Sequence, residues 1–158
     1  MRKKIYLVLC CLLFLNLITF SQDDYLKINT SVDPSSIQQG EEGVLKIKIT
    51  PRNDIKISSC LGFMIKLHDN ENLSFPKVFF TASELDLQSK QENDTLYLEL
   101  EKEIPIRFKV NKNSLIGKHK ISGEVTFTAV FKDKWSLKTY QEFYADFISK
   151  RNRKLRKK

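Results

Sequence analysis

The sequence predicts an all-β protein, and three observations carry that prediction. Apolar residues recur at every second position through most of the chain after residue 22, which is the period of a half-buried strand. Turn-forming residues separate these segments at intervals of roughly 10–15 residues. No segment shows the long apolar stripe of an amphipathic helix. Together these patterns favour an immunoglobulin-like antiparallel β-sandwich of seven to nine strands, with a closed barrel as the alternative.

The strands of the first half are predicted from short segments. One begins at 25–28, before an Asp-Pro-Ser-Ser turn. After a Gly-Glu-Glu-Gly turn, Leu45, Ile47 and Ile49 share one face of the next strand. Pro76 confines a later apolar segment to an edge or a bend. The other segments expected here are strands at 55–57 and 61–67, and a loop or helical turn at 82–87.

The second half alternates more regularly and predicts the remaining strands. Apolar residues occupy every second position in three segments, at 96–100, 104–110 and 125–131. A fourth segment, at 137–148, has Phe143, Ala145 and Phe147 on one side. We expect one sandwich domain over 22–149, since a chain of this length buries a core without needing disulfide bonds.

The first 21 residues have the pattern of a secretory signal peptide. Three basic residues (2–4) precede an apolar run from 5 to 20, and the small residue Ser21 stands before Gln22. The run is shorter than the roughly 20 residues that span a bilayer comfortably, and a retained anchor is the alternative. We expect cleavage near Ser21/Gln22 and a periplasmic or secreted product.

The formal net charge of +8 lies at the two ends of the chain. Residues 2–4 contribute +3 and residues 150–158 contribute +7, whereas 22–149 carries 17 basic and 19 acidic residues. This nearly neutral body argues against a broad basic face for nucleic acid. The tail at 150–158 is predicted to be disordered, with weak contact to an anionic membrane as the alternative. Its basic residues are Lys150, Arg151, Arg153, Lys154, Arg156, Lys157 and Lys158.

Cys60 is the single cysteine expected to remain after the signal peptide is removed with Cys10 and Cys11. An internal disulfide is then impossible, although the compartment is oxidising. Because the neighbouring Leu61 and Phe63 resemble core residues, we expect a buried, inert thiol. A reactive thiol open to an intermolecular bond is the alternative.

Four aromatic residues surround the last predicted hairpin: Phe131, Trp135, Tyr140 and Tyr144. Exposed aromatic side chains at a hairpin tip can anchor a protein partner. The alternative is that they cover the end of the sandwich as core and rim.

Other chemical motifs are weak. His68 with Asp69 and Glu71 lacks the three or four well-held ligands of a zinc site, so no metal is expected. Ser136 and Lys138 alternate onto one exposed strand face and lack an oxyanion site. No glycine-rich phosphate loop is present, and no cofactor is expected.

Several short motifs occur in a characteristic order along residues 25–148. They are Val32-x-Pro34, Gly40-Glu41, Ile55-Lys56-Ile57-Ser58, Phe75-Pro76 and Gly117-x-x-x-Ile121-x-Gly123-x-Val125-x-Phe127. This order resembles the N-terminal periplasmic domain of the DsbD thiol:disulfide interchange proteins. The resemblance implies an immunoglobulin-like sandwich outside the cytoplasm.

In that family the last hairpin carries two cysteines, with five residues between them, that pass electrons to periplasmic redox proteins. The resemblance places Val130 and Ser136 at these two positions, with the same spacing. Neither side chain can supply the thiolate that disulfide exchange requires. The chain therefore resembles a degenerate form of the domain.

Three functions follow as hypotheses. The first is an exported, non-catalytic immunoglobulin-like module that binds a protein, with the last hairpin as the candidate contact. The second is a redox partner that acts through Cys60. The third is a periplasmic chaperone or assembly factor, which would need a long unpaired apolar strand edge.

Overall fold

The computed structural model describes residues 24–92, 94–132 and 135–152. The predicted signal peptide (1–21) and residues 153–158 of the predicted tail lie outside the described residues. Within the described ranges, no helix is long and apolar enough to cross a membrane.

Twelve strands occur in the described part of the chain, which confirms the all-β prediction. They outnumber the predicted seven to nine because seven of them have only two to four residues. In chain order they are β1 (Leu26–Asp33), β2 (Ser36–Gln38), β3 (Glu42–Pro51), β4 (Ile55–Ile57), β5 (Met64–Leu67), β6 (Leu73–Ser74), β7 (Phe79–Thr81), β8 (Ser89–Glu92), β9 (Thr95–Leu98), β10 (Ile104–Val110), β11 (Gly117–Phe131) and β12 (Ser136–Lys150).

The first sheet has the order β1-β3-β10-β6 and is antiparallel throughout. Its strands bury one side chain in two, as their sequence alternation predicts. On β3, Leu45, Ile47 and Ile49 are buried while Lys48 is exposed. Strand β10 buries Ile104, Ile106, Phe108 and Val110 in the same way.

The second sheet has the order β2-β12-β11-β5-β7, and β4 also pairs with β11. Its centre is the β11–β12 hairpin, whose register runs from Gly117 opposite Ser149 to Val130 opposite Ser136. The short strand β2 pairs with the end of β12 in parallel. The hairpin is therefore a long, rigid unit that fixes the position of its own tip.

This strand order is that of an immunoglobulin-like sandwich. β1, β3, β10 and β6 occupy the A, B, E and D positions, while β12, β11 and β5 occupy G, F and C. The inner faces form one apolar core between the two sheets. The two sheets keep separate hydrogen-bond ladders in the described residues, so the fold is the predicted sandwich rather than the alternative closed barrel. The β8–β9 pair is a separate hairpin inserted before β10.

Side chains join β1, an edge strand of the first sheet, to the part of β12 that β2 does not cover. The Gln141 amide receives a hydrogen bond from the Leu26 N–H at 3.0 Å and donates one to the Leu26 carbonyl at 2.6 Å. The Thr30 hydroxyl donates to the Tyr144 carbonyl further along the same edge. Gln141 thus satisfies backbone groups that a neighbouring strand would otherwise satisfy.

Gly123 lies where the backbone of β5 and the Phe143 ring of β12 both come close to β11. A Cβ at this position would stand 2.6 Å from the Lys66 carbonyl oxygen and 2.6 Å from the Phe143 ring. Only glycine fits between the β5 backbone and this core ring, because such distances lie well inside van der Waals contact.

The structure decides between the two alternatives predicted for residues 82–87 and moves one predicted boundary. Residues 82–87 form one hydrogen-bonded turn, in which Leu85 N–H donates to Thr81 O at 3.2 Å, as one of the two alternatives predicted. Strand β12 includes Lys150, and the Asn152 amide donates to Gln39 O at 3.1 Å. Contacts of the domain thus extend past the predicted boundary at residue 149.

Candidate functional site

The tip of the β11–β12 hairpin is where the resemblance described above implies a degenerate redox site. Val130 and Ser136 are register partners, directly opposite each other. The Phe131 N–H donates to the Trp135 carbonyl at 3.0 Å, which makes Phe131–Trp135 the hydrogen-bonded pair. Val130–Ser136 is therefore a non-hydrogen-bonded pair, the kind in which side chains stand closest.

Phe131 and Trp135 stack at this tip. Their ring centroids are 3.8 Å apart and their planes differ by 3°. Tyr25 meets Phe131 edge-on at 5.8 Å, and the Arg52 guanidinium lies 5.4 Å from the centroid of Tyr25. We call Tyr25, Arg52, Phe131 and Trp135 the tip cluster.

The tip cluster is held in place and still accessible. Phe131 packs against the core, whereas Trp135 keeps 49% of its surface exposed. Arg52 is oriented by hydrogen bonds of 2.6 and 2.8 Å to the Asp54 carboxylate. The same hydrogen bonding by Arg52 lowers the pKa of Asp54 below its ordinary value. The cluster therefore presents an ordered aromatic and cationic surface.

Tyr140 and Tyr144 do not join this cluster, which corrects the predicted grouping of four aromatics. Both point outward from β12 and are 52% exposed. The Tyr144 hydroxyl donates to the Glu142 carboxylate at 2.5 Å, and this hydrogen bond raises the pKa of Tyr144. The Lys120 ammonium lies 5.0 Å from the Tyr144 ring centroid.

Cys60 is exposed, so the expectation of a buried thiol is wrong. Strand β4 ends at Ile57, and Ser58 N–H still donates to Thr128 O of β11 at 3.0 Å. The chain leaves this ladder at Ser59, whose N–H donates to Leu96 O at 3.0 Å. Leu61 is exposed as well, and its carbonyl accepts a hydrogen bond from Thr128 at 2.8 Å. The alternation that suggested a core resumes only at Phe63.

The predicted polar candidates are dispersed. His68 faces Glu124, with 3.9 Å between Nε2 and Oε2, rather than Asp69 or Glu71. In the ranges that the structure describes, no group of three or more His, Cys, Asp or Glu residues could hold a metal ion. Ser136 is exposed on the outer face of β12, opposite Val130.

The loop between β10 and β11 was not singled out by sequence reasoning. It presents Leu115 and Ile116 to solvent, with Lys112 and Lys118 on either side. The signal that could have revealed it is a pair of adjacent aliphatic residues inside a segment otherwise composed of Lys, Asn, Ser and Gly. Turn segments seldom need two such residues.

Comparison with known proteins gives only distant similarity of shape. No family model matches the chain, and no curated protein matches it. A variant of BcpA, the major pilin subunit of Bacillus cereus, aligns with a TM-score of 0.43 and 9% identity over 78% of this chain. The chain spans 40% of the length of that pilin.

Two other solved structures are similar at this level. A type I cohesin–dockerin complex from Clostridium thermocellum contains a chain with a TM-score of 0.40 and 14% identity, covering 78% of this chain and 99% of that one. Murine CRIg has a TM-score of 0.32 and 9% identity, covering 79% of this chain and 98% of that one. With scores this low, the fold assignment rests on the strand order described above, and no function is transferred from these proteins.

Proposed function

We propose that this chain is an exported, non-catalytic immunoglobulin-like module that binds a protein partner through the tip cluster. The observation that carries the proposal is the parallel stacking of a half-exposed Trp135 on Phe131, with ring centroids 3.8 Å apart. A stacked ring cannot rotate freely, so it loses little conformational entropy when a partner covers it.

The composition of the tip cluster fits a binding hot spot. Trp, Tyr and Arg are the residues that most often dominate binding energy, and Trp135, Tyr25 and Arg52 occupy one end of the domain. The cluster stands on the longest strand ladder of the described fold. A partner would meet a surface that is already formed.

The absence of catalysis is proposed from the pair at the hairpin. In the DsbD-like interpretation, Val130 and Ser136 replace the exchanging cysteines, and their opposite placement in the ladder supports that alignment. Without two thiols this site has no electron pair to pass. Export is proposed from the basic and apolar pattern of the first 21 residues.

Photo-crosslinking in cells that express the full chain tests the proposal. A photoreactive phenylalanine analogue at position 135 should yield a discrete crosslinked protein, and the same analogue at position 140 should not. Tyr140 is the matched control because it lies five residues further along the chain, on β12, with similar exposure but outside the tip cluster. Trp135→Ala should weaken capture of the crosslinked partner at least about tenfold, with unfolding free energy changed by about 1 kcal/mol. Equal crosslinking at both positions would overturn the proposal.

A second candidate function is supported by the exposure of Cys60. Its thiolate could attack a disulfide of a partner protein, forming one mixed disulfide and releasing the partner's second sulfur as a thiolate. A further thiol from that partner would then resolve the bond, because Cys60 has no second cysteine beside it in the described residues.

The third hypothesis receives less support from the described strands. The edge of β12 is occupied at Tyr144 by the Thr30 hydroxyl and flanked by the Gln141–Leu26 pair. On β10, the N–H and C=O of Val110 point toward the chain at 40–41. Successive residues of a strand point these groups to opposite sides, so those of Pro105, five residues earlier, point to the open edge. Proline has no N–H to donate there. Both features hinder strand addition.

A further inference from the structure

The most exposed large apolar side chain in the described residues belongs to the loop between β10 and β11. Leu115 has 70% of its surface exposed and Ile116 has 51%. Residues 109–120 around them contain four lysines and no acidic residue. Two aliphatic side chains thus protrude from a segment whose charged residues are all basic.

The backbone of this loop is held by many hydrogen bonds. The Asn72 carboxamide accepts from the Leu115 N–H at 3.0 Å, and His119 Nε2–H donates to the Leu115 carbonyl at 2.6 Å. Gln39 donates to Ser114 O at 2.7 Å, and Asn111 donates to Glu71 O at 2.7 Å. These hydrogen bonds hold the backbone of the loop in a position that leaves the side chains of Leu115 and Ile116 exposed to solvent.

The same end of the domain carries the exit of the chain. Ile148, 44% exposed, lies opposite Lys118 in the β11–β12 register. Lys150 and Arg151 follow it, and the sequence continues with five more basic residues up to 158. We call this surface the basic end, made of Lys112, Leu115, Ile116, Lys118, Ile148, Lys150 and Arg151.

We propose that the basic end docks on an anionic lipid surface, with Leu115 and Ile116 inserted at the boundary between headgroups and acyl chains. Peripheral membrane binding needs two contributions, apolar insertion and attraction of basic residues to anionic lipids. The basic end supplies both within one loop and its neighbouring strand end. Charge complementarity selects an anionic lipid surface over a second copy, because two copies would bring like charges together.

This orientation leaves the tip cluster free. Residues Tyr25 and Trp135 lie at one end of the long hairpin, and Lys118 and Ser149 lie at the other. Lipid docking and partner binding are therefore independent proposals, and either can fail while the other holds.

Flotation with vesicles tests the docking. Protein purified from cells that express the full chain is mixed with vesicles of pure phosphatidylcholine, or of equimolar phosphatidylcholine and phosphatidylglycerol. Binding to the anionic vesicles should exceed binding to the neutral ones and should weaken as salt increases. The double variant Leu115→Asp/Ile116→Asp should lower the partition coefficient at least about tenfold. Lys112→Gln/Lys118→Gln should lower it about tenfold as well.

Matched control variants distinguish docking through the basic end from nonspecific binding to vesicles. Leu61→Asp/Leu96→Asp makes the same chemical change at two exposed leucines elsewhere on the surface, and Lys27→Gln/Lys48→Gln removes two exposed lysines of the first sheet. Both controls carry the same N-terminus and should bind as the unchanged chain does. Circular dichroism should show that all variants retain the β-sheet spectrum. Equal losses in test and control variants, or no preference for anionic vesicles, would overturn the proposal.

A fluorescence measurement gives a second, geometric readout. The chain has one tryptophan, Trp135, at the opposite end of the hairpin. In the variant Leu115→Trp/Trp135→Phe, brominated acyl chains should quench the new tryptophan, whereas Trp135 of the unchanged chain should keep its emission. Quenching of Trp135 instead would show that the tip of the hairpin, and not the basic end, contacts the lipid, and would overturn the proposal. Concentration-dependent dimers in sedimentation without lipid, abolished by Leu115→Asp/Ile116→Asp, would show that a second copy covers this surface.

Discussion

Val130 and Ser136 face each other across the β11–β12 ladder, one step before Phe131 and Trp135 complete the hairpin. In a non-hydrogen-bonded pair the two Cα atoms stand about 4.5 Å apart. Native disulfides join Cα atoms separated by about 4.4–6.8 Å. A pair in this register is therefore suited to a cross-strand disulfide, which the side chains of Val130 and Ser136 cannot form.

The first prediction restores the missing pair. In the variant Val130→Cys/Ser136→Cys, with Cys60→Ala to prevent mispairing, the two new thiols should form an intramolecular disulfide in air. The bond should raise the unfolding free energy by about 2 kcal/mol relative to the reduced form. Peptide mapping after alkylation measures the pairing, and Val130→Cys/Lys138→Cys, out of register, is the control. Two freely alkylated thiols in the first variant would contradict the register.

The second prediction concerns Cys60. Because the thiol is exposed, it should react with a maleimide in the native protein without denaturant. Cys60→Ala should change the unfolding free energy by no more than about 0.5 kcal/mol, as for other surface substitutions. Mass spectrometry of the peptide that contains Cys60 measures the modification. A thiol that reacts only after denaturation would exclude the redox alternative.

The third prediction concerns the close contact at Gly123. Gly123→Ala places a methyl group against the Lys66 carbonyl and the Phe143 ring, so β5 or the core must shift. The unfolding free energy should fall by about 1–3 kcal/mol, as for other overpacked sites. Urea denaturation measures it. Ser122→Ala, at the adjacent outward position, is the control and should have a much smaller effect.

The fourth prediction concerns the side chain that joins the two sheet edges. Gln141→Glu keeps the shape of the side chain but removes the donor to the Leu26 carbonyl and introduces charge. The unfolding free energy at neutral pH should fall by about 1–3 kcal/mol, because a partly buried acceptor loses its partner. Glu142→Gln, on the exposed side of the same strand, should stay within about 0.5 kcal/mol. Equal stability of the two variants would show that the edges are not held by Gln141.

The fifth prediction concerns Glu84. Its carboxylate pairs with Lys77 and accepts hydrogen bonds from Thr81 N–H at 2.9 Å and Thr81 Oγ1 at 3.0 Å. The hydrogen bond from Lys77, followed by those from Thr81, lowers the pKa of Glu84 from 4.5 to about 2.

Because this pKa is lower in the folded state, the stabilising contribution of Glu84 is complete above about pH 4.5 and is lost as pH falls toward 2. Lys77→Gln should raise the pKa of Glu84, measured by NMR titration of its side-chain carboxyl carbon, while Lys90→Gln should leave it unchanged. An unaltered titration in Lys77→Gln would assign the shift to Thr81 alone.

The sequence predicts the fold well where strands are long and half buried. The alternation of Leu45, Ile47 and Ile49 predicts which face of β3 is buried, and all three side chains are buried in the structure. The same argument fails for Leu96, which alternates with Leu98 but is exposed, because the β8–β9 hairpin extends beyond the core. Strands of two or three residues, such as β6, are too short to produce a period at all.

Some features of the candidate site could likewise be predicted before the structure, and others could not. The resemblance to the DsbD domain singles out Val130 and Ser136, and the register of the hairpin places them opposite each other. The exposure of Cys60 could not be predicted, since it depends on where β4 leaves the ladder. The stack of Trp135 on Phe131 likewise depends on how the hairpin closes, which no alternation pattern encodes.

The parallel pairing of β2 with β12 has a mechanical consequence. Ile148 N–H donates to Ser35 O at 2.9 Å, and Gln39 N–H donates to Lys150 O at 2.9 Å. Tyr25, just before β1, meets Phe131 at the tip of the hairpin, and β12 ends at Lys150 at the other end of the hairpin. Tension applied along the chain would slide β2 and β12 past each other, so these bonds would bear the load together rather than open in succession. The sandwich should therefore resist a pull along its length more than a pull that separates these strands one hydrogen bond at a time.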